Sequence, residues 1–69
     1  MNPNIEDLLK RVEFKKQFVE EYRKKCLERA DVFSSYKDLA LYCDAKIDAY
    51  NSMIKDINEL FPLAATKIN

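Results

Sequence analysis

Not one of the 69 residues is a glycine, and that absence constrains the fold more than any residue that is present. Phosphate-cradling loops, dinucleotide-binding turns and most tight hairpin turns rely on glycine. It alone enters positive φ freely and lets another backbone approach closely. A P-loop is therefore excluded and a β-rich fold is disfavoured. The reading is an all-α chain.

Helical periodicity carries the same conclusion. From Leu39 the apolar residues fall at Cys43, Ile47, Tyr50, Ile54, Ile57 and Phe61, in steps of four and three that stack on one face of an α-helix. Met53 and Leu60 widen that stripe, while Asp44, Asp48, Asn51, Lys55, Asn58 and Glu59 occupy the other side. Ser35 is the expected N-cap, with Asp38 three residues on as a weak capping box. Pro62 ends the helix, because the residue before a proline is pushed out of helical space.

The first half reads as a second helix. Asn4 is the expected cap, with Glu6 and Asp7 in the first turn where the helix dipole favours negative charge. The apolar series Ile5, Leu8, Leu9, Val12, Val19, Tyr22, Cys26 and Ala30 runs without a breaker. Lys15 and Arg29 are assigned to seam positions, with Lys16 and Arg23 beside the seam. The spans expected are about 5–31 and 35–61, joined by a short connection and so folded as an antiparallel helical hairpin. A break near 15–17 would give a three-helix bundle instead. Folding at Ser34 and Ser35 sets Val12 opposite Ile57, Val19 opposite Tyr50, Tyr22 opposite Ile47, and Cys26 opposite Cys43. In that register Arg23 faces Lys46, and neither has a carboxylate in the seam to pair with.

The chain is read as one small domain, 1–69, with 62–69 a short C-terminal tail. So small a domain buries a modest share of its surface, and each stripe is wider than one neighbouring helix covers. The expected remedy is a homodimer packed as a four-helix bundle, or a different protein as partner.

Composition narrows the function. There is no histidine, and two lone cysteines do not make the usual four-ligand site, so no metal and no cofactor is expected. Without histidine, a glycine loop or a cysteine beside an activating base, the chain is read as non-enzymatic, with no catalytic residue and no small-molecule substrate. No apolar run approaches the roughly 18 residues of a membrane span, and the charged start is unlike a signal peptide. A soluble cytoplasmic protein without a membrane partner is expected. In that setting Cys26 and Cys43 are read as buried thiols, a redox staple between the helices being the less favoured alternative.

One strip of the first helix asks for a partner. Arg11, Phe14, Lys15, Phe18, Tyr22, Lys25 and Arg29 lie along one side, next to the core stripe, and exposed phenylalanines favour contact with another surface. Aromatic and arginine anchors suit a protein interface; rings and cations also suit RNA or DNA. Between Ile5 and Asp31 the charges are nearly balanced, eight basic against seven acidic, whereas nucleic-acid binders show a clearer basic excess. The expected function is a small protein-binding regulator: an inhibitor, adaptor or chaperone-like factor. The alternatives are an RNA- or DNA-binding regulator using the same strip, and a purely structural assembly subunit. A small lysine- and asparagine-rich regulator also suits a phage or mobile element.

The run Leu39-Ala40-Leu41-Tyr42, followed by Pro62 and Lys67-Ile68, resembles in part the Hha-type nucleoid modulators. Lys46-Ile47-Asp48 stands near the place of that family's charged Asp-His-Arg run, and membership is not adopted. In outline the chain is similar to Rop-type hairpins that dimerise into four-helix bundles, a likeness of shape that implies no function.

Overall fold

The computed structural model describes residues 3–62. It is an antiparallel helical hairpin of α1, Pro3–Arg29, and α2, Ser35–Leu60. The first helix is continuous through residues 15–17, so the three-helix alternative is overturned: Lys15, Lys16 and Gln17 all accommodate a helix, and the burial pattern runs through them unbroken. The rest of the expected tail, residues 63–69, lies outside the described residues.

Each helix presents a strict seam to the other. On α1 the buried and half-buried positions include Ile5, Leu9, Val12, Lys16, Val19, Arg23, Cys26 and, just past the helix, Ala30; on α2 they include Tyr36, Ala40, Cys43, Ile47, Tyr50, Ile54 and Ile57. Steps of four and three alternate along both sets, the repeat that keeps two helices in contact along their length. This corrects several assignments. Lys16 and Arg23 fill the seam, while Lys15 and Arg29 are exposed beside it. Leu8 and Tyr22 flank the seam at 47% and 46% exposure. Ala40, not Leu39, is the buried residue at the start of α2.

Side-chain size is graded along the seam. Near the turn the buried residues are Cys26, Ala30, Ala40 and Cys43, all small; at the open end they are Leu9, Val12 and Ile57, with Ile5, Tyr50 and Ile54 packed against them. Small residues let helix backbones approach, and the larger aliphatics supply most of the apolar burial, about 1.5–3 kcal/mol for each fully buried side chain. Val12 and Ile57 share one cluster, as the register from sequence requires.

The connection is made without any left-handed residue; no described residue has positive φ. Ala30 donates to the Leu27 carbonyl, and Val32 and Phe33 both donate to that of Arg29, which winds down α1 in right-handed turns. The Phe33 and Tyr36 rings then meet at 6.1 Å between centroids, and the Arg29 guanidinium lies 5.9 Å from the Tyr36 ring centre. This is how a chain without glycine turns a corner.

Helix ends differ from expectation at two places. α1 begins at Pro3, so Asn4 lies inside it; proline suits a first helical turn because its fixed φ is already helical and its missing N–H is not needed there. The N-cap of α2 is Ser34, not Ser35, and it makes no side-chain capping bond, since its φ of −60° and ψ of −25° are themselves helical. The far end follows the proline rule. Phe61, at φ −133° and ψ 69°, leaves helical space, though its N–H still donates to the Ile57 carbonyl.

The whole measures 48 × 18 × 14 Å. Since one helix with its side chains is about 10–12 Å across, the smallest dimension is a single layer. Both broad faces of the hairpin are open.

Candidate functional site

One of those faces is aromatic and basic. Phe14, Lys15, Phe18, Val19 and Tyr22 of α1 and Tyr42, Cys43, Lys46 and Tyr50 of α2 enclose an open groove of about 550 Å³. Its floor is the seam itself, through Val19, Cys43 and Tyr50, and its walls are the residues that flank the seam on each helix. Phe14 and Phe18 are 70% and 67% exposed, and Tyr42 is 60% exposed. Rings this open are unusual on a surface with nothing against it.

The spacing explains the construction. Phe14, Phe18 and Tyr22 recur every four residues, so they climb one side of α1; Tyr42 and Lys46 do the same on α2, and Tyr50, four residues further, brings that row to the floor. Eight residues separate the ends of each row, and at 1.5 Å per residue each row is about 12 Å long. With Val12 packed level with Ile57, the two rows are staggered, that of α1 lying nearer the open end and that of α2 nearer the turn, and they overlap where Val19 and Tyr22 face Tyr50. Lys46 lies with its ammonium 5.0 Å from the centre of the Tyr42 ring, a cation–π contact that holds the charge at the rim.

Of the seven strip residues expected from sequence, four line the groove: Phe14, Lys15, Phe18 and Tyr22. Arg11 lies one step beyond it, in a smaller recess with Lys10, Phe14 and Lys15, and its guanidinium is paired with Asp7 at 3.1 Å. Lys25 and Arg29 do not reach the groove. Both are exposed, and Arg29 belongs to the aromatic cluster at the turn. The α2 wall was not assigned from sequence, where Tyr50 was placed in the core stripe and Lys46 opposite Arg23. Tyr50 does belong to the core stripe; the four-residue spacing of Tyr42 and Lys46 shows that they share a side of α2, and only the packed pair shows that this side faces the groove.

Lys46 and Arg23 in fact part company. Arg23 turns to the other side of the seam, where its Nε donates to the Asp44 carboxylate, so Asp44 bridges the helices instead of standing on the outer face. Lys46 is left on the groove side. The sidedness of the hairpin's charge follows: no carboxylate lines the groove or the recess beside it.

Beneath the groove lie the two cysteines, both buried and both free thiols. Burial pushes the Cys43 thiol above its ordinary value, Cys26 and Asp44 add to the rise, and Lys46 and Arg23 oppose it. Tyr22 is raised as well, first by charge on Cys26, then by desolvation and by a side-chain hydrogen bond with that thiol. Raised values keep these groups protonated at neutral pH, which suits packing more than nucleophilic chemistry. Among the described residues no cluster of histidine, cysteine or carboxylate side chains is placed to hold a metal, and no described helix is long and apolar enough to cross a membrane. The chain matches no family model, no curated protein and no solved structure.

Proposed function

We propose that the protein is a small non-enzymatic regulator of the cytoplasm that acts by binding another protein through the aromatic groove. The observation that carries this reading is the exposure of Phe14 and Phe18, at 70% and 67%, on the wall of a groove that both helices build. Buried aromatic anchors supply much of the energy of protein interfaces. The groove floor is already packed and would not need to reorganise, which limits the entropy lost on binding. A single-layer hairpin also leaves room for further helices against this face, in the manner of a larger bundle.

The test is capture from the cells that make the protein, comparing wild type with the Phe14→Ala, Phe18→Ala double variant. Circular dichroism first establishes that the variant keeps its helices, as expected for side chains this exposed. A defined protein that stays bound to wild type in raised salt and is lost from the variant supports the reading. Recovery of nucleic acid that dissociates steeply with salt would overturn it, because phosphate contacts are the salt-sensitive kind.

A further inference from the structure

We infer that the occupant of the groove is an amphipathic helix whose apolar stripe is flanked by carboxylates. This rests on the protein-binding reading and adds the chemistry of the partner.

Three observations select that occupant. The first is shape. The groove lies between two antiparallel helices, each contributing a row of side chains about 12 Å long, a little over two helical turns, with the rows staggered along the hairpin. It takes apolar side chains at i, i+4 and i+7 of a third helix, the usual anchors of helix-in-groove recognition. The second is charge. Lys15 and Lys46 stand on the two walls and Lys10 continues the line past Phe14. None of these three belongs to an ion pair found among the described residues, which are Arg11–Asp7, Arg23–Asp44 and Lys55–Glu59. Carboxylates flanking an apolar stripe would meet a lysine on either side. The third is the absence of any acidic residue in the lining, which disfavours a second copy of this chain. In a two-fold dimer the same patch meets itself, and here that sets lysine against lysine. Single-stranded nucleic acid would find rings to stack on, but the floor of Val19, Cys43 and Tyr50 offers its phosphates nothing.

The experiment uses two designed fluorescein-labelled helical peptides that share a leucine stripe, one flanked by glutamates and the other by lysines. Binding is read by fluorescence anisotropy against the full chain. The glutamate peptide is expected to bind about tenfold tighter or more, because carboxylates meet the lysines of both walls whereas the lysine peptide sets like charges against each other. Phe14→Ala with Phe18→Ala should abolish binding of both peptides. Lys15→Glu with Lys46→Glu should reverse the preference.

Equal binding of the two peptides, still lost with the phenylalanines, would overturn the acidic partner while leaving a protein-binding groove intact. Failure of both peptides, with the groove instead taken by a labelled oligouridine, would overturn the inference and the proposed function together. The same holds if light scattering shows a dimer that Phe14→Ala and Phe18→Ala convert to a monomer.

Discussion

Arg23 on α1 donates a hydrogen bond from Nε to the Asp44 carboxylate on α2, the one ion pair found between the two helices among the described residues. It occurs at a seam position where a coiled coil normally carries an apolar side chain. With side chains 40% and 45% exposed, neither charge is fully taken out of water, so the pair contributes modestly. A double-mutant cycle with Arg23→Ala and Asp44→Ala should give a coupling of about 0.5–1 kcal/mol in urea denaturation. Asp44→Ala alone should be the more damaging single change, because it leaves the guanidinium at the seam without its carboxylate. A coupling near zero would mean that the pair is only a surface contact.

The core at the open end sets a larger scale. Ile57 is 8% exposed and packs with Leu9 and Val12, whereas Leu60, three residues on, is 73% exposed. Ile57→Ala should cost about 2–4 kcal/mol through lost burial and the cavity left behind. Leu60→Ala should stay within about 0.5 kcal/mol, the usual range for surface changes. Similar losses at the two sites would contradict the register of α2 described here.

Asn58 predicts a change in the opposite direction. Its Oδ1 is buried with no hydrogen-bond partner among the described residues, and an unmet buried acceptor costs about 1–3 kcal/mol. Asn58→Leu removes the acceptor at similar volume and should raise the thermal midpoint by several degrees, since about 1 kcal/mol moves a domain of this size by roughly 4–8 °C. A lowered midpoint would show that the amide makes a contribution its surroundings do not reveal.

How much of this was legible beforehand depends on what each feature requires. The helices and their antiparallel pairing follow from glycine absence, apolar periodicity and Pro62, all of them local signals. The level of the pairing followed too, because Val12 and Ile57 lie in stripes that must meet. Which polar residues share the seam was not legible. A stripe of Leu8, Leu9 and Val12 fits more than one rotation of the helix, and only the packed pair shows that Lys16 and Arg23 take the inner positions and push Leu8 and Tyr22 outward. The same rotation decides the site. Phe14 and Phe18 were visible as misplaced hydrophobes on α1, but Tyr42 and Lys46 become a wall only once α2 is set beside them.

Ser34 offers a sharp check on the turn. A side-chain cap normally loses about 1 kcal/mol when its residue becomes alanine, but Ser34 is in helical geometry and makes no such bond. Ser34→Ala should therefore change stability by less than about 0.5 kcal/mol. A full capping loss would require the chain to enter α2 in the extended conformation that side-chain capping needs.

Cys43 and Tyr22 give the fold a pH dependence whose direction can be worked out. Cys43 is raised from an ordinary value of 9.0, mainly by burial, and Tyr22 is raised from 10.0, mainly by Cys26. Both groups are neutral when protonated, so the folded chain holds their protons to higher pH than the unfolded chain does. Around neutral pH both states are protonated and stability is level. Above the ordinary thiol value the unfolded chain gives up protons first, it binds fewer than the folded chain, and unfolding becomes easier as pH rises. The urea midpoint should thus hold steady near neutrality and fall once the pH passes about 9. Cys43→Ala should be less stable at every pH, because the thiol also fills space, yet its midpoint should fall less steeply on the alkaline side. Equal slopes for the two proteins would place the alkaline sensitivity elsewhere, in the lysines or in Tyr22, and would remove Cys43 as its source.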